Sequence, residues 1–230
     1  MNKTTTLSLS NLDIGYTKEN PLIESIIIEA NQGDLIALMG LNGSGKTTLF
    51  KTILGETPSI RGEIEVGNSS HEIHKNISVV FTERIDIYGF TVADMIAQGR
   101  AAHTNIFGKL TNHDKEVIQE QLTALSLEEI ATQQINSLSD GQFQKVMIAR
   151  ALAQETQVLL LDEPTAFLDV KNKRMIHDLL HSLASSGNKT ILVSTHDVLF
   201  CNSYCSKSWV IDNKRLKEKN PKEITESFFD

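Results

Sequence analysis

A glycine-rich octapeptide, Gly40 to Thr47, has the residue types and spacing of a phosphate-binding loop. It fits G-x-x-x-x-G-K-T, follows a predicted strand and begins a predicted helix. Glycines let successive main-chain N–H groups converge on one point, where the helix N-terminus adds partial positive charge. Lys46 can then reach the β- and γ-phosphates of a nucleoside triphosphate, and the Thr47 hydroxyl can bind Mg²⁺. The flanking strand and helix favour this interpretation over a glycine-rich turn without a ligand.

Two acidic residues, Asp162 and Glu163, follow the aliphatic segment Val158–Leu161. A continuous aliphatic run is typical of a strand buried on both faces, and ligands bind at the carboxyl ends of strands in open α/β sheets. We expect Asp162 to hold Mg²⁺ through water and Glu163 to act as general base on an attacking water. A carboxylate pair alone usually indicates a solvated loop, but its combination with the phosphate loop favours a nucleotide site.

A third segment, Leu138 to Gln142, precedes another predicted helix. Ser139 at the N-cap and Gln142 three residues later form a capping box, which is a purely structural interpretation. A capped helix N-terminus still presents N–H groups to an anion. The structural and the ligand-binding interpretations of this segment are therefore compatible.

Strands and helices alternate along most of the chain, which predicts a parallel sheet covered on both faces. The predicted strands are Leu7–Leu12, Asp34–Met39, Ile64–Val66, Ile77–Phe81, Val158–Leu161, Thr190–Ser194 and Ser208–Ile211. The predicted helices are Thr47–Leu54, Val92–Gly99, Asp114–Leu125, Gln142–Ala153 and Lys173–Ala184. Strand signals nearly vanish in the middle third. We therefore predict one domain, 1–230, in which a helical part, 83–153, is inserted into an α/β core of 1–82 and 154–230.

The composition excludes several classes of protein. Of the 230 residues, 40% are hydrophobic and 22% are charged, which supplies a core and argues against wholesale disorder. The net charge of −7 argues against a nucleic-acid-binding protein. We find neither the ~18 apolar residues of a membrane-spanning helix nor, at Met1–Thr6, the hydrophobic stretch of a secretory signal. Cys201 and Cys205 form no metal-like pattern with a second pair, so we expect a reduced, cytoplasmic protein.

Taken together, the phosphate loop, the acidic pair and Leu138–Gln142 resemble the motifs of ABC-type ATPases, in which the last is the LSGGQ signature. The resemblance covers essentially the whole chain, and Pro221–Ile224 resembles the usual end of such domains. It implies an α/β fold: a P-loop NTPase core with a mostly parallel sheet, an N-terminal antiparallel β subdomain and a helical signature subdomain. It also implies hydrolysis of ATP with Mg²⁺.

The resemblance also assigns roles to individual residues. Glu163, His196 and Lys46 would be catalytic, and Thr47, Asp162 and Glu83 would be metal ligands. The residues implied to bind the nucleotide are Tyr16, Gly40, Asn42, Gly43, Ser44, Gly45, Lys46, Thr47, Thr48, Ser139, Gly141, Gln142 and Asp169.

Two of these roles have plain alternatives. Tyr16 matches the aromatic residue that stacks on adenine, although an isolated tyrosine near a strand end is as often plain packing. His196, directly after a strand, matches the switch histidine, whose imidazole can donate to the γ-phosphate. A histidine alone is more often inert.

Other histidines and cysteines lack such support. His177 and His181 lie one helical turn apart, which suits a metal, but without a third ligand nearby they favour a solvated helix face. Cys201 and Cys205 are interpreted as small, semi-buried hydrophobic residues. The remaining histidines without support are His71, His74, His103 and His113.

In ABC-type ATPases the signature does not serve its own phosphate loop. Two chains pair head to tail, so each ATP would lie between Lys46 of one chain and Ser139 and Gly141 of the other. The implied partners are a second copy of this chain, a separate membrane permease and, indirectly, a substrate-binding protein, but no nucleic acid. The implied location is the cytoplasmic face of the membrane.

Thr91–Arg100 resembles the T-V-x-x-L-V-x-x-G-R stretch of importers for iron-siderophores, haem and cobalamin. The resemblance therefore implies the ATPase subunit of such an importer. One alternative is a soluble ABC ATPase that acts on DNA or ribosomes. Another is the ATPase of a transporter with different cargo, such as an exporter or a metal-ion importer.

Three positions depart from the family pattern. Leu41 replaces the usual proline of the phosphate loop, which the backbone should tolerate, and Asp140 replaces the first signature glycine and adds negative charge. Thr82 stands where a glutamine normally touches Mg²⁺ and links the helical part to the permease. Because Thr82 is shorter, we consider Glu83 as a substitute metal ligand.

Overall fold

The computed structural model describes residues 4–67, 73–84, 88–104, 108–187 and 189–226, so Met1–Lys3 and His71 lie outside the described residues. The described strands are β1 (Thr5–Ile14), β2 (Ile23–Asn31), β3 (Leu35–Met39), β4 (Arg61–Val66), β5 (Ile77–Val80), β6 (Val158–Asp162), β7 (Thr190–Ser194), β8 (Lys207–Asp212) and β9 (Arg215–Lys219). The described α-helices are α1 (Lys46–Ile53), α2 (Ile73–Asn76), α3 (Val92–Gln98), α4 (Asn112–Ala124), α5 (Asp140–Leu152), α6 (Val170–Ser185) and α7 (Val198–Tyr204).

The larger sheet has six strands in the order β5-β6-β7-β3-β8-β9 and is parallel except for the β8–β9 pair. Strands β3, β6 and β7 are buried along their whole length. Because β7 lies between β3 and β6, the carboxyl ends of all three meet at one edge. The register places Leu38 and Asp162 on either side of Ser194, so the three loops that carry predicted site residues leave the sheet side by side.

A smaller antiparallel sheet, β2-β1-β4, shares one apolar cluster with the larger sheet. Helix α1 lies in the apolar cluster that both sheets share, where Leu49, Phe50 and Ile53 are completely buried. Burying these side chains fixes the axis of α1 and therefore the direction in which its N-terminus points.

The connection from β5 to β6 carries α3, α4 and α5, and an ion-pair cluster holds these helices together. Arg100 is almost completely buried and donates to Asp114 Oδ1 (2.8 Å), to Glu155 Oε2 (2.6 Å) and to the carbonyl oxygen of Ala153 (2.7 Å). Hydrogen bonds from Thr111, and then the Arg100 guanidinium, hold the pKa of Asp114 well below its usual range. The cluster joins the end of α3, the start of α4 and the end of α5, and so orients the signature helix α5.

The structure confirms the predicted fold class, although several elements were missed or misplaced. The sequence analysis did not predict β2, β9, α2 or α7. Helix α6 begins at Val170 rather than at Lys173, because the Asp169 side chain caps it by accepting a hydrogen bond from the Asn172 N–H. The interpretation of His177 as part of a solvated face was wrong. His177 is buried, with its ring 4.2 Å from that of Phe200.

Gly99, which follows α3, generates a prediction about this helical part. A Cβ atom there would lie 2.3 Å from the carbonyl oxygen of Arg150, so Gly99→Ala must push α3 away from α5. We expect this variant to lose about 3 kcal/mol of unfolding free energy in urea denaturation. The control is Gly187→Ala, where nothing lies within 4 Å but φ is +73°, and it should lose about 1 kcal/mol. Equal losses would contradict the close packing at Gly99.

Candidate nucleotide-binding site

The phosphate loop connects β3 to α1 with its lysine folded back into the loop. Gly43 and Gly45 have φ of +77° and +105°, a backbone conformation that favours glycine. Lys46 is buried, and its Nζ donates to the carbonyl oxygens of Gly40 (2.8 Å) and Leu41 (3.2 Å). Burial lowers the pKa of Lys46, while Glu163 and Asp162 oppose that shift. The ammonium group is thus held at the centre of the loop, where a phosphate would lie.

Asp162 is buried and connects three elements of the site. Its Oδ2 accepts a hydrogen bond from Thr47 Oγ1 at 2.7 Å, and its Oδ1 accepts one from Ser194 Oγ. Its main-chain oxygen accepts a bond from Thr82 Oγ1 at 2.7 Å. The carboxylate therefore ties the first turn of α1 to the ends of β6 and β7. Ser194, which the sequence analysis placed only at the end of a strand, is a supporting residue that it missed.

Glu163 has an unusual backbone, with φ of +45°, which is strained for a residue other than glycine. Two hydrogen bonds hold it there, because its N–H donates to Oγ (3.0 Å) and to the main-chain oxygen (3.1 Å) of Ser194. Its Oε1 lies 3.2 Å from His196 Nε2, and that nitrogen lies 3.3 Å from Lys46 Nζ. Burial, and then the charge of Lys46, lower the pKa of His196. The three predicted catalytic side chains therefore form one contiguous group.

A cavity of about 660 Å³ opens over Lys46 and Glu163 of this group, whereas the predicted residues Gly40, Ser44 and His196 are not among those that line it. Tyr16 lies at its rim, 78% exposed, with its hydroxyl 3.3 Å from Thr48 Oγ1. Lys51 Nζ lies 5.6 Å from the centre of the Phe81 ring, and both residues line the cavity although neither was predicted. The predicted residues that line the cavity are Tyr16, Asn42, Gly43, Gly45, Lys46, Thr47, Thr48, Glu83, Asp162 and Glu163.

The structure shows what surrounds the residues that depart from the family pattern. The Thr82 hydroxyl bonds to the main chain of Asp162, whereas the exposed Glu83 lines the cavity. Leu41 is 55% exposed, and its carbonyl oxygen accepts a hydrogen bond from Lys46 Nζ. Asp140 forms an ion pair with Arg84, a residue for which the sequence analysis gave no role. Nothing in the local sequence relates these two residues, which are far apart in the chain.

The predicted signature residues lie elsewhere, around a second cavity of about 450 Å³. Ser139 caps α5: its Oγ accepts a bond from the Gln142 N–H at 3.3 Å, and Gln142 Oε1 accepts one from the Ser139 N–H at 3.0 Å. A Cβ on Gly141 would lie 3.2 Å from the carbonyl oxygen of Phe167. Asp169 also lines this second cavity. None of the described residues that line one of these two cavities also lines the other.

The donor set of the first cavity fits a hard divalent cation beside a phosphate. Thr47 Oγ1 and Asp162 Oδ2 are oxygen atoms 2.7 Å apart, and the Glu83 carboxylate opens into the same cavity. Oxygen ligands of this kind, together with phosphate oxygens, are those that Mg²⁺ prefers. Within the described residues, no group of three or more His, Cys, Asp or Glu side chains lies close enough together to hold a metal ion. His177 and His181 therefore have no third ligand among these residues.

Comparison with known protein families decides the identity of this fold. The family model of the ABC transporter matches residues 23–166. The chain belongs to the ABC transporter family. It is 38% identical over 216 residues to an uncharacterized ABC transporter ATP-binding protein of Methanocaldococcus jannaschii, covering 91% of this chain and 74% of that protein. It is 36% identical to the molybdate import ATP-binding protein MolC of Haemophilus influenzae, covering 94% of this chain and 82% of MolC.

Two solved structures of ABC proteins also resemble this ABC protein. An inward-facing ABC transporter of the metal-chelate type superposes with a TM-score of 0.84 at 34% identity, covering 96% of this chain and 85% of that chain. The ATP-binding cassette MJ0796, dimeric with ADP and Pi in a post-hydrolysis state, gives 0.81 at 26% identity, covering 95% and 100%.

This ABC protein is thus an ATP-binding subunit and an ATPase that uses ATP and Mg²⁺, as the sequence analysis predicted. The helices of its described residues include none with the length and apolar character needed to cross a membrane. The roles of the individual site residues stay predictions.

Proposed function

We propose that this protein powers an ABC importer as one of two ATPase subunits that pair head to tail. The observation that carries the proposal is the separation of the two cavities within one chain. Lys46 and Glu163 line the first, whereas Ser139 and Gly141 line the second. One chain therefore offers the inner half of an ATP site and, elsewhere, the outer half of another. A second copy would bring its signature over the first copy's nucleotide.

In the proposed site Lys46 stabilises the β- and γ-phosphate charge from below. Glu163 accepts a proton from the water that attacks the γ-phosphate in line. His196, already 3.2 Å from Glu163, donates to the γ-phosphate and holds the base in position. The N–H groups at the start of the partner's α5 would neutralise the outer oxygens and exclude water. Tyr16 would stack on the adenine at the rim.

Mg²⁺, when bound, would neutralise the β- and γ-phosphate oxygens. We propose Thr47 and Asp162 as its protein partners, with Asp162 acting through water. Glu83 is proposed as an additional ligand in place of the family's glutamine, because the Thr82 hydroxyl already bonds to the Asp162 main chain. Glu83 is exposed and opens into the cavity, so its carboxylate can move toward the cation.

We propose an import function with a metal chelate as cargo, of the iron-siderophore, haem or cobalamin class. Thr91–Arg100, which resembles those importers, forms the N-cap, helix α3 and the buried Arg100 cluster. Relatives named for chelated iron in Yersinia pestis (33% identical) and for molybdate in Haemophilus influenzae (36%) support import over export. They also support it over a soluble ATPase that acts on DNA or ribosomes. The proposed partners are a separate permease and, indirectly, a substrate-binding protein at the cytoplasmic face of the membrane.

Glu163→Gln tests the pairing. The amide cannot accept the proton from water, so ATP should bind but stay uncleaved, and the protein should elute as a dimer with MgATP and as a monomer with MgADP. Size-exclusion chromatography with light scattering measures this, and we expect hydrolysis to fall at least about 100-fold. The matched control is Glu116→Gln, an exposed residue of α4 that does not line the cavity. A monomer at saturating MgATP, or full turnover in Glu163→Gln, would overturn the proposal.

Glu83→Ala tests the metal role. Losing one carboxylate ligand should raise the Mg²⁺ concentration for half-maximal ATP hydrolysis by about tenfold, with a smaller change in the rate at saturating Mg²⁺. Glu120→Ala removes an equal charge from the exposed face of α4 and serves as control. An unchanged Mg²⁺ dependence in Glu83→Ala would remove Glu83 from the site.

Uptake measurements test the cargo. Cells that lack this chain should lose uptake of a labelled ferric siderophore, haem or cobalamin, and the wild-type chain but not Glu163→Gln should restore it. If molybdate or free metal ion uptake falls instead, the cargo class is wrong while the importer function stands. Unchanged uptake of all of these, with the chain co-purifying with ribosomes or DNA, would favour the soluble alternative.

A further inference from the structure

Asp140 creates an electrostatic problem in the proposed paired state. It is the first residue of α5, between Ser139 and Gly141, and it lines the second cavity with them. A carboxylate there stabilises its own helix, because it faces the positive end of the helix dipole. The same charge would face the phosphates of an ATP bound by a second copy and would repel them. Something must offset this charge if the signature is to meet a nucleotide.

Arg84 supplies the offsetting charge and makes three contacts around the signature. Its Nη1 lies 2.5 Å from Asp140 Oδ1, and its Nη2 donates to the carbonyl oxygen of Leu138 at 3.0 Å. Its guanidinium also lies 5.1 Å from the centre of the Phe143 ring. These contacts bracket the signature on both sides of its N-cap. An ion pair at the surface adds little to the free energy of unfolding. The three contacts of Arg84 therefore favour a role in positioning the signature rather than in stabilising the fold.

The same short segment also reaches the first cavity. Thr82, two residues before Arg84, donates its hydroxyl to the main-chain oxygen of Asp162, and Glu83 lines the cavity. The segment 82–84 therefore touches the end of β6, which carries Asp162, at one side and the signature at the other. These three consecutive residues connect the first cavity, where the chain would bind its own nucleotide, to the signature, which it would offer to the nucleotide of a partner.

From this geometry we infer that Arg84 is a positioning residue for the paired state. It cancels the charge of Asp140 and fixes the signature relative to the chain's own nucleotide pocket, so that α5 can accept the phosphates of a nucleotide held by a second copy. The inference rests on the proposed head-to-tail pairing. It assigns to Arg84 and Asp140 a joint role, in which the arginine is needed because the acid is present.

The test uses ATP-dependent dimerisation in the Glu163→Gln background, where hydrolysis does not interfere. Arg84→Ala should require about tenfold more MgATP for half-maximal dimerisation, because the Asp140 charge is then uncompensated. Arg84→Lys should require a MgATP concentration between those of the parent and Arg84→Ala, because lysine keeps the positive charge but cannot contact both Asp140 and the Leu138 carbonyl oxygen as the guanidinium does. The matched control is Arg215→Ala, which removes an arginine of β9 that is paired with Glu24 of β2, and it should behave like the parent.

Removal of the acid distinguishes this role from a merely structural one. Adding Asp140→Gly to Arg84→Ala should restore dimerisation to within about threefold of the parent, as the two effects are coupled. ATP binding to the monomer, measured with a fluorescent ATP analogue at dilute protein, should be the same in all variants. Arg84→Gln replaces Arg84→Ala should the alanine variant fail to fold.

Each outcome has one meaning. If the Glu163→Gln parent does not dimerise, the proposed pairing itself fails. If the parent dimerises and Arg84→Ala dimerises equally well, pairing stands and the role of Arg84 is overturned. Failure of Asp140→Gly to rescue, or loss of ATP binding by the Arg84→Ala monomer, would also overturn the inference, because either would place the effect of Arg84 outside the pair with Asp140.

Discussion

The hydrogen bond from Thr47 to Asp162 is the interaction on which the nucleotide site depends. It joins the first turn of α1 to the end of β6, although β3, which leads into α1, is separated from β6 by β7. Asp162 is 6% exposed, and a buried carboxylate is costly unless hydrogen-bonded. Thr47 and Ser194 meet that requirement together, so the same contacts that stabilise the carboxylate fix the phosphate loop relative to Glu163 and His196. The geometry of the proposed catalytic group therefore follows from the hydrogen bonds that one buried carboxylate requires.

The sequence predicted those parts of the fold whose signal is local. Strands β3, β6 and β7 are buried on both faces and therefore read as continuous apolar segments, and Gly55 marks the end of α1. Strand β9 was missed because Arg215–Lys219 is mostly exposed and polar, and it is held in the sheet by pairing with the antiparallel β8. Strand β2 carries an exposed Ile27 within an isoleucine run, which hides the alternation of a half-buried strand. Pairing with a neighbour, rather than local pattern, determines both.

The candidate site shows the same division. The phosphate loop, the acidic pair and His196 could be placed from the sequence because each directly follows a strand of a parallel sheet. The contacts of Thr82, Arg84 and Asp140 could not, because they join residues that meet only in three dimensions. His177 was misread for a similar reason: its helix face is apolar only because α7 covers it with Phe200. Because α7 was not predicted, the face of α6 that it buries was interpreted as solvated.

The separation of the two cavities has a consequence for where this enzyme can work. Under the proposed pairing, an isolated copy carries two unmatched halves, so its rate in free solution would depend on protein concentration and fall steeply on dilution. Two copies docked on one scaffold would instead meet at a high effective concentration set by the geometry of that scaffold. ATP hydrolysis would then be confined to assembled complexes. Under that pairing, the fold of a single chain would limit ATP hydrolysis by copies that are not assembled.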